Sequence, residues 1–97
     1  MPTYISLSRY TQKGVESIKD GPARLDAAKK NIAAAGGKLI GFYLTMGQYD
    51  LVTIAEFPDD ETFARAGLAG VSQGYLRGET LRAFTEEEYR KIIAGLP

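Results

Sequence analysis

The residues of this chain best suited to chemistry gather around one short polar break, Gly47-Gln48-Tyr49-Asp50, with Glu56 a little further on. A phenol beside a carboxylate can hold a proton or grip a polar ligand. The same residues also make turns, because glycine accepts positive φ and aspartate hydrogen-bonds turn amides. Glu56 stands between apolar neighbours, where desolvation raises a carboxylate's pKa and suits it to general-base work. An ion pair with Arg77 or Arg82, or with a partner subunit, is the plainer role for it. Tyr4, Ser6, Tyr43 and Thr45 offer hydroxyls able to line a cavity for a small apolar or aromatic ligand. They serve equally as interface side chains. Arg77, Glu79 and Arg82 alternate in charge along the last apolar-polar segment. Arginine can clasp a carboxylate with two donors, and the same pattern makes cross-strand ion pairs.

Other chemistries are excluded by composition. The chain holds no histidine and no cysteine. That removes Ser-His-Asp and Cys-His triads, a proximal haem histidine, thiolate metal sites and disulfides. Asp59-Asp60-Glu61 lacks calcium-loop spacing and reads as helix capping, so no metal and no cofactor is expected. Lys29-Lys30 and Glu86-Glu87-Glu88 read as solvated helix residues. Lysine and arginine together number 12, aspartate and glutamate 12, for a formal net charge of zero. Neutrality argues against nucleic acid or an anionic membrane as partner. No apolar run approaches the roughly 20 residues needed to span a bilayer, and a strand pattern begins at once, so a cytoplasmic protein without a signal peptide is expected.

These residues need elements to position them. Thr3 to Ser8 alternates Ile5 and Leu7 with Tyr4, Ser6 and Ser8, the pattern of a strand. Thr11 to Ile18 is helical in pattern, and Pro22 predicts a kink or restart before Leu25, Ala28 and Ile32 continue a helical stripe. Gly36-Gly37 ends it. Lys38 to Phe57 is the clearest statement in the chain, two runs of β-branched and aromatic residues flanking the polar break, hence a hairpin. Pairing Met46 with Leu51 places Ile40, Phe42, Leu44 and Met46 on one face with Leu51, Thr53, Ala55 and Phe57. The other face, mixed and uncovered, takes Leu39, Gly41, Tyr43 and Thr45 with Val52, Ile54 and Glu56, and Tyr4 and Ser6 are expected there too. Asp59 should cap a helix whose stripe is Phe63, Ala66, Gly67 and Gly70. Tyr75 to Phe84 reads as a fourth strand with Gly78 a candidate bulge. Thr85 to Glu88 is a capping box opening a last helix with Tyr89, Ile92, Ile93 and Leu96 at helical spacing.

The order β-α-β-β-α-β-α predicts one domain over residues 1–97 with a ferredoxin-like, split βαβ fold: α+β, a four-stranded antiparallel sheet, helices on one face. The bare face predicts a homodimer, or a larger assembly, closing over it.

With Gly47, Tyr49 and Asp50 in place, the chain resembles the GYD-domain family, along its opening PTYISL, the stretch GGKLIGFYLTMGQYDLVTIAEFPDDE and the closing ETLRAFTEEEYRKII. Gln48 separates the glycine from the tyrosine here. The resemblance implies a dimeric α+β barrel similar to antibiotic-biosynthesis monooxygenase-like and chlorite-dismutase-like groups, some of whose members bind haem or oxidise aromatic substrates. Haem is not carried over, because its users rely on a histidine. Three functions remain open: a dimer binding a small apolar or aromatic ligand between the sheets, a cofactor-independent monooxygenase or isomerase using Glu56 with Tyr43 or Tyr49, and a purely structural oligomerisation module.

Overall fold

Alternating apolar residues build four strands in the computed structural model, which describes residues 1–97: Thr3–Tyr10 (β1), Lys38–Leu44 (β2), Leu51–Glu56 (β3) and Leu76–Ala83 (β4). Helices Gln12–Glu16 (α1), Gly21–Ala34 (α2), Asp60–Ser72 (α3) and Glu86–Ala94 (α4) fall between and after them. The sheet order is β2-β3-β1-β4 and every neighbouring pair is antiparallel. This is the α+β, ferredoxin-like arrangement expected, with α2 and α3 over one face.

Local chemistry sets the element ends. A short 3-10 turn, Ile18–Asp20, separates α1 from α2, and Pro22 occupies the first turn of α2, where its missing N–H costs nothing. Asp59 accepts from the Thr62 amide at 2.8 Å, and Thr62 holds the Asp59 carboxyl below its usual pKa. Thr85 and Glu88 form the reciprocal capping box, and the Thr85 amide depresses the Glu88 pKa. Gly36, at φ 81°, closes the end of α2 in the left-handed region.

Three expectations need correction. The hairpin register is shifted: Leu44, not Met46, stands opposite Leu51, and the Thr45 amide donates to Asp50 O at 2.7 Å. Met46 to Tyr49 therefore form the turn. A two-residue shift preserves the faces near the turn, since side chains alternate with period two. Further along β2 a bulge lies between Leu39 and Gly41, which sends Leu39 to the helix side opposite Ala55 and releases Ile40. Gly78, by contrast, makes no bulge. The β1–β4 register runs unbroken, and a Cβ at Gly78 would collide with the Leu7 carbonyl oxygen, so close backbone approach is its reason.

The third correction concerns β1. Tyr4, Ser6 and Ser8 lie on the face that α2 and α3 cover; Ile5 and Leu7 lie on the bare one. Alternation in a sequence says that two faces differ, not which of them a helix will cover. The core sits at the Tyr4 end of the sheet. There Tyr4 stacks on Phe63 with centroids 4.2 Å apart, and Phe57 meets Phe63 edge-on at 5.4 Å. Ile32, Ala35, Leu39 and Ala66 pack around this cluster. Only five of the 97 residues are buried. The accessible surface, 6842 Å², exceeds the roughly 5500 Å² of a compact monomer of this mass.

Candidate functional site

Beyond the aromatic cluster the helices part from the sheet, leaving a cleft of about 1300 Å³. Its floor is the middle of the helix-facing sheet surface. Ser6 of β1 stands opposite Thr53 of β3 on one side and Thr80 of β4 on the other, so hydroxyls run across three strands. The Ser6 and Thr80 oxygens lie 3.3 Å apart. Phe42, Leu51, Leu25 and Ala28 supply apolar wall, and Arg24 closes the Tyr75 end with its guanidinium 4.3 Å from that ring. Only the middle of β1 departs from an ordinary sheet, since the core residues Leu51, Ala55 and Phe57 share the helix-facing side. Polar residues look inward under the helices, while Ile5, Leu7, Val52, Ile54 and Leu81 look out from the bare face.

The residues singled out from the sequence fall into three places. Tyr4 and Ser6 are on the helix side, Ser6 in the cleft floor and Tyr4 buried in the aromatic cluster. The Tyr4 hydroxyl donates to the Asp60 carboxylate, and burial first, then that bond, pushes its pKa up to about 12. Tyr43 and Glu56 are on the bare face, Tyr43 opposite Val52 and Glu56 between Lys38 and Thr3. Glu56 pairs with neither arginine proposed for it. Arg82 projects to the helix side, 3.8 Å from Asp60 and over the Tyr4 and Phe84 rings, while Arg77 stands beside Arg9. Tyr43 and Glu56 are thus separated by the thickness of the sheet from Tyr4, Ser6 and the cleft.

The third group is the turn. Gly47 takes φ 120°, a conformation other residues rarely adopt. The Thr45 hydroxyl donates to Tyr49 O at 2.6 Å and so closes the loop. Asp50 accepts the Tyr10 amide through its carboxylate at 2.9 Å, and its own amide donates to Ser8 O at 2.9 Å. Tyr49 reaches over Arg9, whose guanidinium lies 5.0 Å from the ring, and donates its hydroxyl to Glu79 of β4. That bond to Glu79 is the main cause of a raised Tyr49 pKa, which keeps the phenol a donor. Arg9 also donates to Gln48 O at 2.6 Å. Glycine, tyrosine and aspartate together lash the hairpin tip to β1 and β4.

The family model for the GYD domain matches residues 4–93. The chain belongs to the GYD-domain family. Among relatives of this GYD domain is a protein of Thermus thermophilus, "Glutamine synthetase and cystathionine beta-lyase binding protein". The two are 34% identical over 84 residues, spanning 86% of this chain and 88% of the relative. The crystal structure of TTHA0845 from Thermus thermophilus is similar at a TM-score of 0.56 and 28% identity, covering 88% of this GYD domain and 95% of that chain.

Sequence reasoning passed over Arg24, Thr53, Thr80 and Tyr75. The available signal was Ser6 and Ser8 alternating with Ile5 and Leu7: a strand with small hydroxyls on one side and pure hydrocarbon on the other. No helix is long and apolar enough to cross a membrane, and no three acidic side chains cluster as metal ligands would.

Proposed function

We propose that this GYD domain is a homodimeric protein-binding module whose partner is a metabolic enzyme. The observation that carries the reading is the exposed hydrocarbon along the β2 edge. Tyr43 is 57% exposed, Leu44 74%, and Met46 at the turn is wholly in solvent. An apolar edge of this kind marks an interaction surface. The rigidly lashed turn presents it with little entropy to lose on binding. The Thermus relative, which by its name binds glutamine synthetase and cystathionine β-lyase, supports enzymes of those two kinds as partners. Homodimerisation through the bare sheet face is supported by the surface excess over a compact monomer, roughly 1300 Å², which is more than the roughly 800 Å² each partner buries in a standard interface.

Titration calorimetry against glutamine synthetase and cystathionine β-lyase from the organism carrying this chain tests it. Micromolar binding to either enzyme is expected, lost in a Leu44→Asp, Met46→Asp double variant that keeps its circular dichroism. Absence of binding to both would overturn the reading.

The cleft favours a second reading, the binding of a small apolar or aromatic ligand. Its seat is then the space between sheet and helices, with Ser6 a contact, rather than the space between two sheets where Tyr43, Thr45, Tyr49, Asp50 and Arg77 were expected to act.

A further inference from the structure

The cleft has a chemical direction. Its floor carries the Ser6, Thr53 and Thr80 hydroxyls, donors and acceptors set in the middle of a face where a sheet normally packs Val and Ile. Its walls are hydrocarbon, Phe42, Leu51, Leu25 and Ala28 among them. One end is shut by the packed rings of Tyr4, Phe57 and Phe63, which offer nothing polar to the lumen except the Tyr4 hydroxyl already given to Asp60. The other end holds Arg24.

Arg24 is the half-buried cation at the Tyr75 end of the cleft. It takes part in none of the four ion pairs, which use Arg65, Arg82, Arg90 and Lys91. Its Nη1 donates to Ser17 O at 3.0 Å, while its Nη2 is buried without a hydrogen-bond partner. The Tyr75 ring lies beneath it, and the Lys13 ammonium approaches the same ring at 4.5 Å. Two cations therefore flank Tyr75, and no carboxylate answers them. A half-buried guanidinium stacked on a ring and short of one acceptor at Nη2 is suited to a carboxylate oxygen.

Resting on the ligand-binding reading, we propose that the cleft takes a hydrophobic carboxylate, its apolar body along the Phe42–Leu51 wall and its head at Arg24. The apolar walls select the body; the hydroxyl row accommodates a polar substituent along it. The open-face residues Tyr43 and Glu56 take no part.

Decanoate, decanol and decyltrimethylammonium, titrated calorimetrically into the intact protein, separate the possibilities. Decanoate is expected to bind at least roughly tenfold more tightly than decanol, the scale of one charge-assisted hydrogen bond, and the ammonium least of all. Arg24→Gln should remove the preference for decanoate over decanol. Because Arg24 bonds the end of α1 and stacks on Tyr75, a Thr53→Phe variant, which puts a ring on the middle of the cleft floor and leaves Arg24 intact, provides an independent check: it should weaken binding of all three probes. If the three probes bind alike, or Arg24→Gln leaves the ranking intact, the carboxylate assignment fails though the cleft still binds ligands. If none binds, the ligand reading itself fails. Probe binding undiminished by Thr53→Phe would place it elsewhere and overturn the proposal.

Discussion

The Asp50 carboxylate accepts the Tyr10 amide at 2.9 Å, joining the hairpin turn to the far end of the first strand across 40 residues of sequence. Tyr10 is the last residue of β1, opposite Leu76 of β4, and β3 supplies it no backbone acceptor. The side chain of Asp50 continues the ladder where the backbone stops. Asp50→Ala leaves a partly buried amide without a partner and should cost about 1–3 kcal/mol in urea denaturation. Tyr49→Phe loses only an exposed bond to Glu79 and should shift the urea midpoint far less. Equal losses would mean that the aspartate is not the structural member of the pair.

Two glycines give opposite outcomes on the same substitution. A Cβ at Gly78 would run into the Leu7 carbonyl oxygen, which is backbone and cannot swing aside, so Gly78→Ala must push β1 and β4 apart. Destabilisation by more than about 2 kcal/mol, or failure to fold, is expected. At Gly70, within α3, the added Cβ meets nothing within 4 Å, and Gly70→Ala should stabilise by up to about 1 kcal/mol through helix propensity. Melting temperatures of the two variants check both.

The fold was legible because its signals are local: the restart at Pro22, the caps at Asp59 and Thr85, and the hairpin all stand in the residues that form them. The cleft was not, since its floor joins Ser6, Thr53 and Thr80 through strand pairing, and Arg24 reaches it from a helix by stacking on Tyr75. Which face of β1 is covered decides where the cleft lies, and alternation alone does not specify it. Ile5 and Leu7 look like core because hydrocarbon usually faces helices. Here the helices cover the hydroxyl side, and Ile5 and Leu7 lie bare within a single copy. Ile40 misled for another reason, because a bulge reverses alternation and nothing in KLIGF announces one.

Burial and the bond to Asp60 raise the Tyr4 pKa from 10.0 to about 12. A raised native pKa means that the unfolded chain loses this proton first. Its contribution is therefore complete below pH 10 and disappears as pH rises toward 12. The stability difference between wild type and Tyr4→Phe should shrink by on the order of 2 kcal/mol across that interval. Urea titrations at three pH values would measure it. A difference that stays constant with pH would show that Tyr4 ionises as easily folded as unfolded.

The homodimer proposed to close over the bare face has a direct consequence for Ile54 and Leu81. They flank Ile5 on either side, in the middle of the outward surface, where a second copy would centre its contact. Burying a charge there without a partner costs several kcal/mol per subunit, more than a standard interface can lose and persist. Ile54→Asp and Leu81→Asp should each sediment as a monomer at concentrations where the wild type is expected to sediment as the proposed dimer. Glu56→Gln, beside Lys38 and Thr3 at the rim of that face, removes a charge without adding one and should leave the proposed dimer intact. The cleft opens on the opposite side of the sheet, so a monomeric Ile54→Asp protein should still bind decanoate. Loss of decanoate binding along with the dimer would instead tie the cleft to the subunit contact.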